Sequence, residues 1–206
     1  QSLTPSLPKR KCKNLRSWRS NGPEDARLTP FRNGLAMLVN DFAEIENDEK
    51  REYRRTQYFV FIDDTFHLST PRIVDREGGQ QEKNWSPWVY QDRLMAHQWL
   101  HPKSVALEIE PFQSQIVVRR HVCDSSLERV VKAERIAGGT NAIRINSSHF
   151  LAIGHTYHET STYRIYAMFG YLFEALPPFC ITAATPEFHL RPPQIDRCEF
   201  ADELDP

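Results

Sequence analysis

Segments rich in Val, Ile, Tyr and Phe recur along this chain about every ten residues, and this spacing constrains its fold most. Turn signals such as Arg32-Asn33-Gly34 and Gly138-Gly139 separate several of them. Helical periodicity is weak almost everywhere, so the pattern predicts an all-β sandwich, barrel or propeller. The predicted strands are Leu35–Asn40, Gln57–Ile62, Trp88–Gln98, Ser104–Ile109, Gln115–His121, Asn141–Ile145, Phe150–His155, Tyr163–Phe173 and Phe179–Ala184.

Three local patterns refine this prediction. The continuous apolar run Leu35–Val39 is typical of a strand buried on both faces. The segment Tyr90–Leu94 predicts a tight hairpin. The stretch Asp41–Arg55 is densely charged and has no apolar stripe, so we expect an exposed loop or a short helix there.

A polar motif followed by a strand occurs three times and favours a propeller. The motifs are Glu24–Arg27 before Leu35, Glu82–Trp85 before Leu94, and Gly138–Asn141 before Phe150. They lie roughly 55 to 60 residues apart, which suits the period of a propeller blade. We therefore predict a propeller. Because the inner strands of a propeller surround one funnel, the three motifs should converge on it.

Composition and charge exclude several classes of protein. The 26 Lys and Arg nearly balance the 27 Asp and Glu, which argues against a nucleic-acid partner. No apolar run approaches the roughly 18 residues of a membrane span, and the polar opening does not resemble a signal peptide. We expect a basic N-terminal arm over residues 1–21, blades over 22–186, and an acidic strap or tail over 187–206.

The cysteines do not predict a metal site. Cys12, Cys123, Cys180 and Cys198 lie far apart and form no CxxC or Cys/His ligand spacing. We therefore predict neither a metal nor a cofactor, and one or two disulfides are compatible with the spacing.

Two Asn-X-Ser sequons occur, Asn84-Trp85-Ser86 and Asn146-Ser147-Ser148. They matter only in a secreted protein, and chance explains them equally well. The sequence leaves the compartment open, with a slight preference for the cytoplasm.

Two carboxylates are candidates for sugar chemistry. Inverting glycosyl transfer needs a carboxylic acid to protonate the departing oxygen and a nucleophile on the opposite face of the sugar. Asp25, two residues before Arg27, suits recognition of sugar hydroxyls, or it forms a surface ion pair. Asp41 follows the apolar run, where desolvation would favour the protonated form that a general acid needs. Alternatively, Asn40-Asp41 begins a turn.

Two further clusters could bind a substrate. The segment Glu82–Trp88 combines Lys83, Asn84 and two indoles, which suits phosphate binding and stacking on sugars, or it is a loop anchored by its aromatic residues. His155 ends a predicted strand close to His158. No third residue at ligand spacing accompanies the two histidines, so we do not predict a metal there.

Taken in order, these motifs resemble the five-bladed β-propeller family of β-mannoside phosphorylases, which also includes β-1,2-mannosyltransferases and hydrolases. The matching stretches cover residues 22–186: Pro23–Leu28 with Asn33-Gly34-Leu35, Glu82–Pro87, His101-Pro102 with Val105–Ile109, Gly138–Ala142 with Phe150–His155, Tyr163, and Pro177-Pro178-Phe179.

The resemblance implies a five-bladed type of β-propeller that is incomplete, with about three blades represented. It also implies a role for each matching residue. Asp41 or its neighbour Asn40 lies near the position of the catalytic acid. Lys83 and His155 are similar to phosphate-binding residues of the phosphorylases. The remaining matches are expected to bind the substrate: Glu24, Asp25, Arg27, Glu82, Asn84, Trp85 and Tyr163. The expected partners are an oligosaccharide or a mannose-1-phosphate type of substrate, with inorganic phosphate as a further one.

The chain departs from the family pattern at two places. Ala26 replaces a proline, and the family's Arg-Asn phosphate pair would fall near Thr65-Phe66, where no such pair occurs. Phosphorolysis, transfer from a sugar donor and loss of activity therefore all remain open. A non-catalytic glycan-binding propeller, with Trp85, Trp88 and Trp99 stacking on sugar, is the alternative hypothesis. An interaction scaffold unrelated to sugar is the third.

Overall fold

The computed structural model describes residues 23–47, 50–74, 84–125, 127, 130–131, 136–159 and 164–189. These residues form three separate antiparallel sheets that follow one another along the chain. With one exception in the third sheet, strands that are consecutive in sequence are neighbours, and none of the sheets closes on itself. The predicted all-β class is therefore confirmed.

The first sheet has the order β1-β2-β3-β4. Its strands are β1 (Glu24–Phe31), β2 (Gly34–Asn47), β3 (Lys50–Ile62) and β4 (Arg72–Ile73). Strands β2 and β3 remain paired from Leu35↔Ile62 out to Asn47↔Lys50. The predicted loop or short helix over Asp41–Arg55 is therefore wrong. A two-stranded ribbon pairs its own backbone groups and does not need an apolar stripe, so the absence of one was not informative.

Strand β1 was not predicted, because its sequence combines charged residues with Pro30. The motif Glu24–Arg27 was expected to precede a strand, and it lies within one instead. Proline cannot donate to a strand ladder and is confined to edge strands or bulges. Since β1 is the first strand of its sheet and pairs only with β2, Pro30 fits there.

The second sheet has the order β5-β6-β7-β8. Its strands are β5 (Ser86–Tyr90), β6 (Arg93–Trp99), β7 (Lys103–Glu110) and β8 (Val117–Asp124). The tight hairpin predicted at Tyr90–Leu94 is confirmed, because Tyr90 pairs with Arg93 across a two-residue turn. Both turn residues, Gln91 and Asp92, have positive φ angles, 48° and 59°, as a type I′ turn requires.

The third sheet has the order β10-β11-β12-β13, with β9 also paired to β11. Its strands are β9 (Ile136–Gly138), β10 (Ile143–Arg144), β11 (His149–Glu159), β12 (Arg164–Glu174) and β13 (Ile181–Ala184). β11 and β12 form an unbroken register from His149↔Glu174 to Glu159↔Arg164. The two strands of this long hairpin are the central strands of the third sheet.

The second sheet is buried on both of its faces. Successive side chains of a strand point to opposite faces, so Leu94 and Met95 of β6 enter different cores. One core joins the second sheet to the first and contains Leu38 and Phe59. The other joins it to the third sheet and contains Phe169. The three sheets are thus stacked face to face in chain order.

One disulfide fastens the second sheet to the third. Cys123, in β8, is bonded to Cys180, just before β13, with Cα atoms 5.5 Å apart. This bridge realises one of the disulfides that the cysteine spacing had left open. Cys12 and Cys198 lie outside the described residues.

His97 is a titratable residue buried in the core between the second and third sheets. Its ring lies 4.8 Å from Trp88 and 4.5 Å from Phe173, measured between ring centroids. Burial lowers the pKa of His97 to about 3, and the backbone of Phe179 raises it by less. His97 is therefore neutral in the folded protein at every pH near neutrality.

This burial predicts a loss of stability in mild acid. The unfolded chain takes up a proton on His97 below pH 6.5, whereas the folded chain does so only near pH 3, so stability falls as the pH falls between these values. From pH 7 to pH 5 we expect this residue to lower the free energy of unfolding by about 2 kcal/mol. Urea titrations at the two pH values measure the loss.

A matched pair of variants isolates the contribution of His97. His97→Phe keeps a ring in the aromatic core and should remove this part of the pH dependence, while His149→Gln should keep it. If His97→Phe loses as much stability between pH 7 and pH 5 as the wild type does, the assignment to His97 is wrong.

Candidate functional site

The second and third polar motifs are in contact. The backbone N–H of Gly139 donates to the hydroxyl of Ser86 at 3.2 Å, and that of Ala142 donates to the carbonyl of Pro87 at 2.9 Å. A side chain on Gly138 would overlap the carbonyl oxygen of Asn84. The segment from Gly138 to Ala142 therefore runs alongside the beginning of β5.

The third motif also reaches the first sheet. The side-chain amide of Asn141 donates to the hydroxyl of Thr29 at 3.0 Å and to the carbonyl of Leu28, both in β1. Asn141 thereby ties the third sheet to β1, while its neighbours tie the third sheet to β5. The three segments that carry the motifs are held together by these bonds.

Strands β1 and β5 begin at the same end of the assembly. The turns that follow them, at Arg32 and Asp92, line one cavity and approach within 4.0 Å. Asn141 and Ala142, which are adjacent in sequence, bond to Thr29 of β1 and to Pro87 of β5, so the two strands run side by side in the same direction and also begin together at the other end. We call this other end, which contains Glu24 and Asn84, the motif end.

Polar side chains are buried in the first sheet at the motif end. Glu24, Asn40 and Gln57 are opposite one another across β1, β2 and β3. Asn40 and Gln57 are only 0% and 2% exposed. They share a face with Leu38 and Phe59, two residues further along the sheet, so they point toward the second sheet.

Asp41 lies in the middle of β2, not in a turn that begins after a strand. It is buried and pairs with Thr56 on the face opposite to Asn40. One of its carboxylate oxygens, Oδ1, accepts the backbone N–H of Phe42 at 2.7 Å. Beyond this point β2 and β3 continue as a hairpin past the beginning of β1, so Asn40 and Asp41 stand where this hairpin leaves the sheet.

The first motif is held by an ion pair that the sequence did not predict. Glu24 pairs with Arg55, which approaches from β3. Asp25 is exposed and has a φ of 57°, at a point where the register between β1 and β2 shifts. Arg27 is half-buried and pairs in register with Leu38.

The second motif divides into described and undescribed residues. Glu82 and Lys83 lie outside the described residues, as does Tyr163 in the third sheet. Asn84 is buried and has a φ of 62°. The indole of Trp85 is fully buried in the core between the first and second sheets, so its expected contact with substrate is corrected to a packing role.

His155 lies within β11 and does not end a strand as expected. It pairs in register with Ala137 of β9 and with Met168 of β12, and its half-buried ring lies 5.9 Å from the ring of Tyr166. Its neighbour Gly154 pairs with Gly138 of the third motif. His155 is therefore connected to the motif end through β9.

Several polar residues that are buried at this end were not predicted from the sequence as part of a site. Thr56 and Gln57 are buried opposite Asp41 and Asn40, and Ser86 is buried beside Gly139. The positions of Thr56 and Gln57 could have been predicted from the register of a hairpin. A hairpin centred between Asn47 and Lys50 places Asn40 opposite Gln57, but the charged segment was not recognised as a hairpin.

The opposite end of the first two sheets holds a cavity of about 260 Å³. There Glu108 is buried and accepts hydrogen bonds from Arg93 and Arg119, each at 3.2 Å. Glu110 pairs with Arg119 at 3.0 Å. The cavity contains none of the residues that the sequence proposed for catalysis, substrate binding or phosphate binding.

Comparisons with protein-family models and with curated protein sequences found no match to this chain. In the part of the chain that the structure describes, no helix is long and apolar enough to cross a membrane. The same residues contain no group of three or more His, Cys, Asp or Glu that could hold a metal ion.

Proposed function

We propose that this chain supplies blades of a five-bladed type of β-propeller that acts on β-mannosides, by inverting phosphorolysis or by mannosyl transfer. The observation that carries the proposal is the contact among the three motif-bearing segments, with Asn141 of the third motif reaching β1 at Leu28 and Thr29, just after the first motif. Asn141 bonded to β1, and Gly139 and Ala142 bonded to β5, bring them together. A propeller arranges its blades around a common axis and would bring motifs repeated in phase close to one another.

The architecture supports a propeller in a second way. Propeller blades are four-stranded antiparallel meanders packed face to face. Each of the three sheets contains such a meander, and the second is covered on both faces by its neighbours in sequence.

The proposed chemistry assigns roles at the motif end. Asp41 is the candidate general acid, since it is a buried carboxylate next to the site and a general acid must be held within reach of the leaving oxygen. Asn40, which is fully buried, would support the site from within the core, and Glu24, Asp25, Arg27, Asn84, Glu82 and Tyr163 would line the funnel. Lys83 and His155 would hold phosphate, or the phosphate of a sugar donor.

The alternative of a purely glycan-binding propeller is less well supported. It relies on three indoles that stack on sugar, yet Trp85 and Trp88 are fully buried in the two cores. Only Trp99 among the three retains partial exposure. A stacking surface made by these residues is therefore not available in this fold.

The test is turnover of a mannosyl phosphate. Folded protein incubated with mannose-1-phosphate and a mannose or β-mannoside acceptor should release inorganic phosphate. Asp41→Asn should lower the rate at least about 100-fold, since general acid catalysis contributes factors of that size or more.

Asp92→Asn is the matched control for this experiment. It makes the same chemical change in an exposed turn at the opposite end, where a positive φ of 59° suits Asn. It should leave the rate unchanged. Absence of turnover with every mannose donor would contradict the proposal. Glycan-array binding that survives both Asp41→Asn and Asp25→Asn would favour the non-catalytic alternative.

A further inference from the structure

The two Asn-X-Ser sequons differ in their exposure to solvent. Asn146-Ser147-Ser148 occupies the exposed connection between β10 and β11. Asn84-Trp85-Ser86 leads into β5, and all three of its residues are buried. We propose that Asn146 is an N-glycosylation acceptor and that Asn84 is not.

Asn146 has the geometry of an acceptor. Its side-chain oxygen Oδ1 accepts the backbone N–H groups of Ser148 at 2.7 Å and His149 at 2.8 Å, which closes an Asx-turn over the sequon. These bonds use only the oxygen. Within the described part of the chain, the amide nitrogen Nδ2 makes no hydrogen bond, so it is left for reaction.

Arg144 and Ala175 also fix the backbone around Asn146, in addition to the two bonds accepted by the Asn146 side chain. Arg144 donates from Nε to the carbonyl of Asn146 and from Nη2 to the carbonyl of Ser147, each at 3.0 Å. The carbonyl of Ser148 accepts the N–H of Ala175 at 2.8 Å. The turn therefore stays on the surface, with Asn146 and Ser148 both exposed.

A glycan on Asn84 is incompatible with this fold. Its side chain belongs to a residue that is only 8% exposed, and its carbonyl lies against Gly138. A bulky, hydrated oligosaccharide must remain in solvent. Attaching one to Asn84 would force apart the contact between β5 and the third motif.

The disulfide supports the compartment that this modification requires. Disulfides such as Cys123–Cys180 persist in oxidising compartments, and sequon glycosylation takes place in the secretory pathway. This observation weighs against the slight preference for the cytoplasm drawn from the sequence.

The modification is a group transfer from a lipid diphosphate-linked oligosaccharide. Nδ2 of Asn146 attacks the anomeric carbon of the first sugar and forms the C–N bond. The bond from that carbon to the diphosphate oxygen breaks, and the lipid diphosphate leaves with the electron pair. The displaced amide proton passes to a base of the transferase.

The experiment is site-resolved mapping of the secreted protein. The full chain is produced behind a secretory leader in a eukaryotic cell line, and folded protein is collected from the medium. Enzymatic deglycosylation in H₂¹⁸O should convert Asn146 to ¹⁸O-labelled Asp in most molecules and leave Asn84 unlabelled.

Two serine variants provide a matched control. Ser148→Ala removes the hydroxyl of the sequon and should abolish the label on Asn146. Ser147→Ala changes the neighbouring serine and should retain it. An unlabelled Asn146 in secreted, disulfide-bonded protein overturns the proposal, and so does a labelled Asn84.

Discussion

Removing the Cys123–Cys180 disulfide should lower the free energy of unfolding by about 4 kcal/mol. The two cysteines are separated by 57 residues, and a cross-link over a segment of that length restricts the unfolded chain strongly. The bond also joins the last strand of the second sheet, β8, to the segment before the last strand of the third. Its loss frees two neighbouring sheets from one another at their outer strands.

Urea titrations with and without a reductant measure this effect. The double variant Cys123→Ala with Cys180→Ala should match the reduced wild type and show no further response to reductant. If oxidised and reduced wild type unfold at the same urea concentration, the bridge contributes nothing to stability and the argument fails.

Gly138→Ala should destabilise the fold by about 3 kcal/mol, at the upper end of the usual cost of overpacking. A β-carbon at this position would overlap the backbone oxygen of Asn84 and approach the hydroxyl oxygen of Ser86 to 2.6 Å. The oxygen of Asn84 belongs to the backbone, so it cannot rotate away from the added β-carbon. The third motif must therefore move away from β5, and the hydrogen bond from Gly139 to Ser86 should be lost with it.

Gly170→Ala is the matched control for this substitution. A β-carbon there would meet only side-chain atoms, the nearest being Cγ2 of Thr185 at 3.5 Å, which is an ordinary contact. It should change the free energy of unfolding much less than Gly138→Ala does. Equal effects of the two substitutions would mean that the close approach of Gly138 to Asn84 is not what fixes this junction.

The Gly138 variant also bears on the proposed function. If the motif end is an active site, displacing the third motif should lower turnover in molecules that are still folded. If the variant loses about 3 kcal/mol of stability but keeps full activity, the contact between the third motif and β5 is not required for turnover.

Much of the fold was predictable because strand patterns are local. The Tyr90–Leu94 hairpin was predicted from its sequence, and in the structure Tyr90 pairs with Arg93 across a two-residue turn. Failures occurred where a strand lacks the usual composition. β1 contains charged residues and Pro30, and the paired segments on either side of Asn47 and Lys50 carry many charges. Both are strands because their backbone groups pair with a neighbouring strand, which composition does not reveal.

The candidate site, like the fold, was predictable from the sequence only in part. The three in-phase motifs were visible in the sequence, and their spacing led to the expectation that they converge. The sequence did not show which of these side chains are buried in the fold and which could contact a substrate. Trp85 appears in the sequence as part of a polar, aromatic segment, yet it fills a core, whereas Gln57 appears as the first residue of an apolar strand and lies beside Asn40.

The recurring β-rich segments and turn signals by themselves determined that this protein is all-β and composed of antiparallel strands, because alternation and turn chemistry act over a few residues. Only the tertiary structure decided that the sheets stack in chain order, that Cys123 pairs with Cys180, and that Asn141 joins the third sheet to the first. These contacts link residues 57 or more positions apart, and their geometry depends on how whole sheets pack.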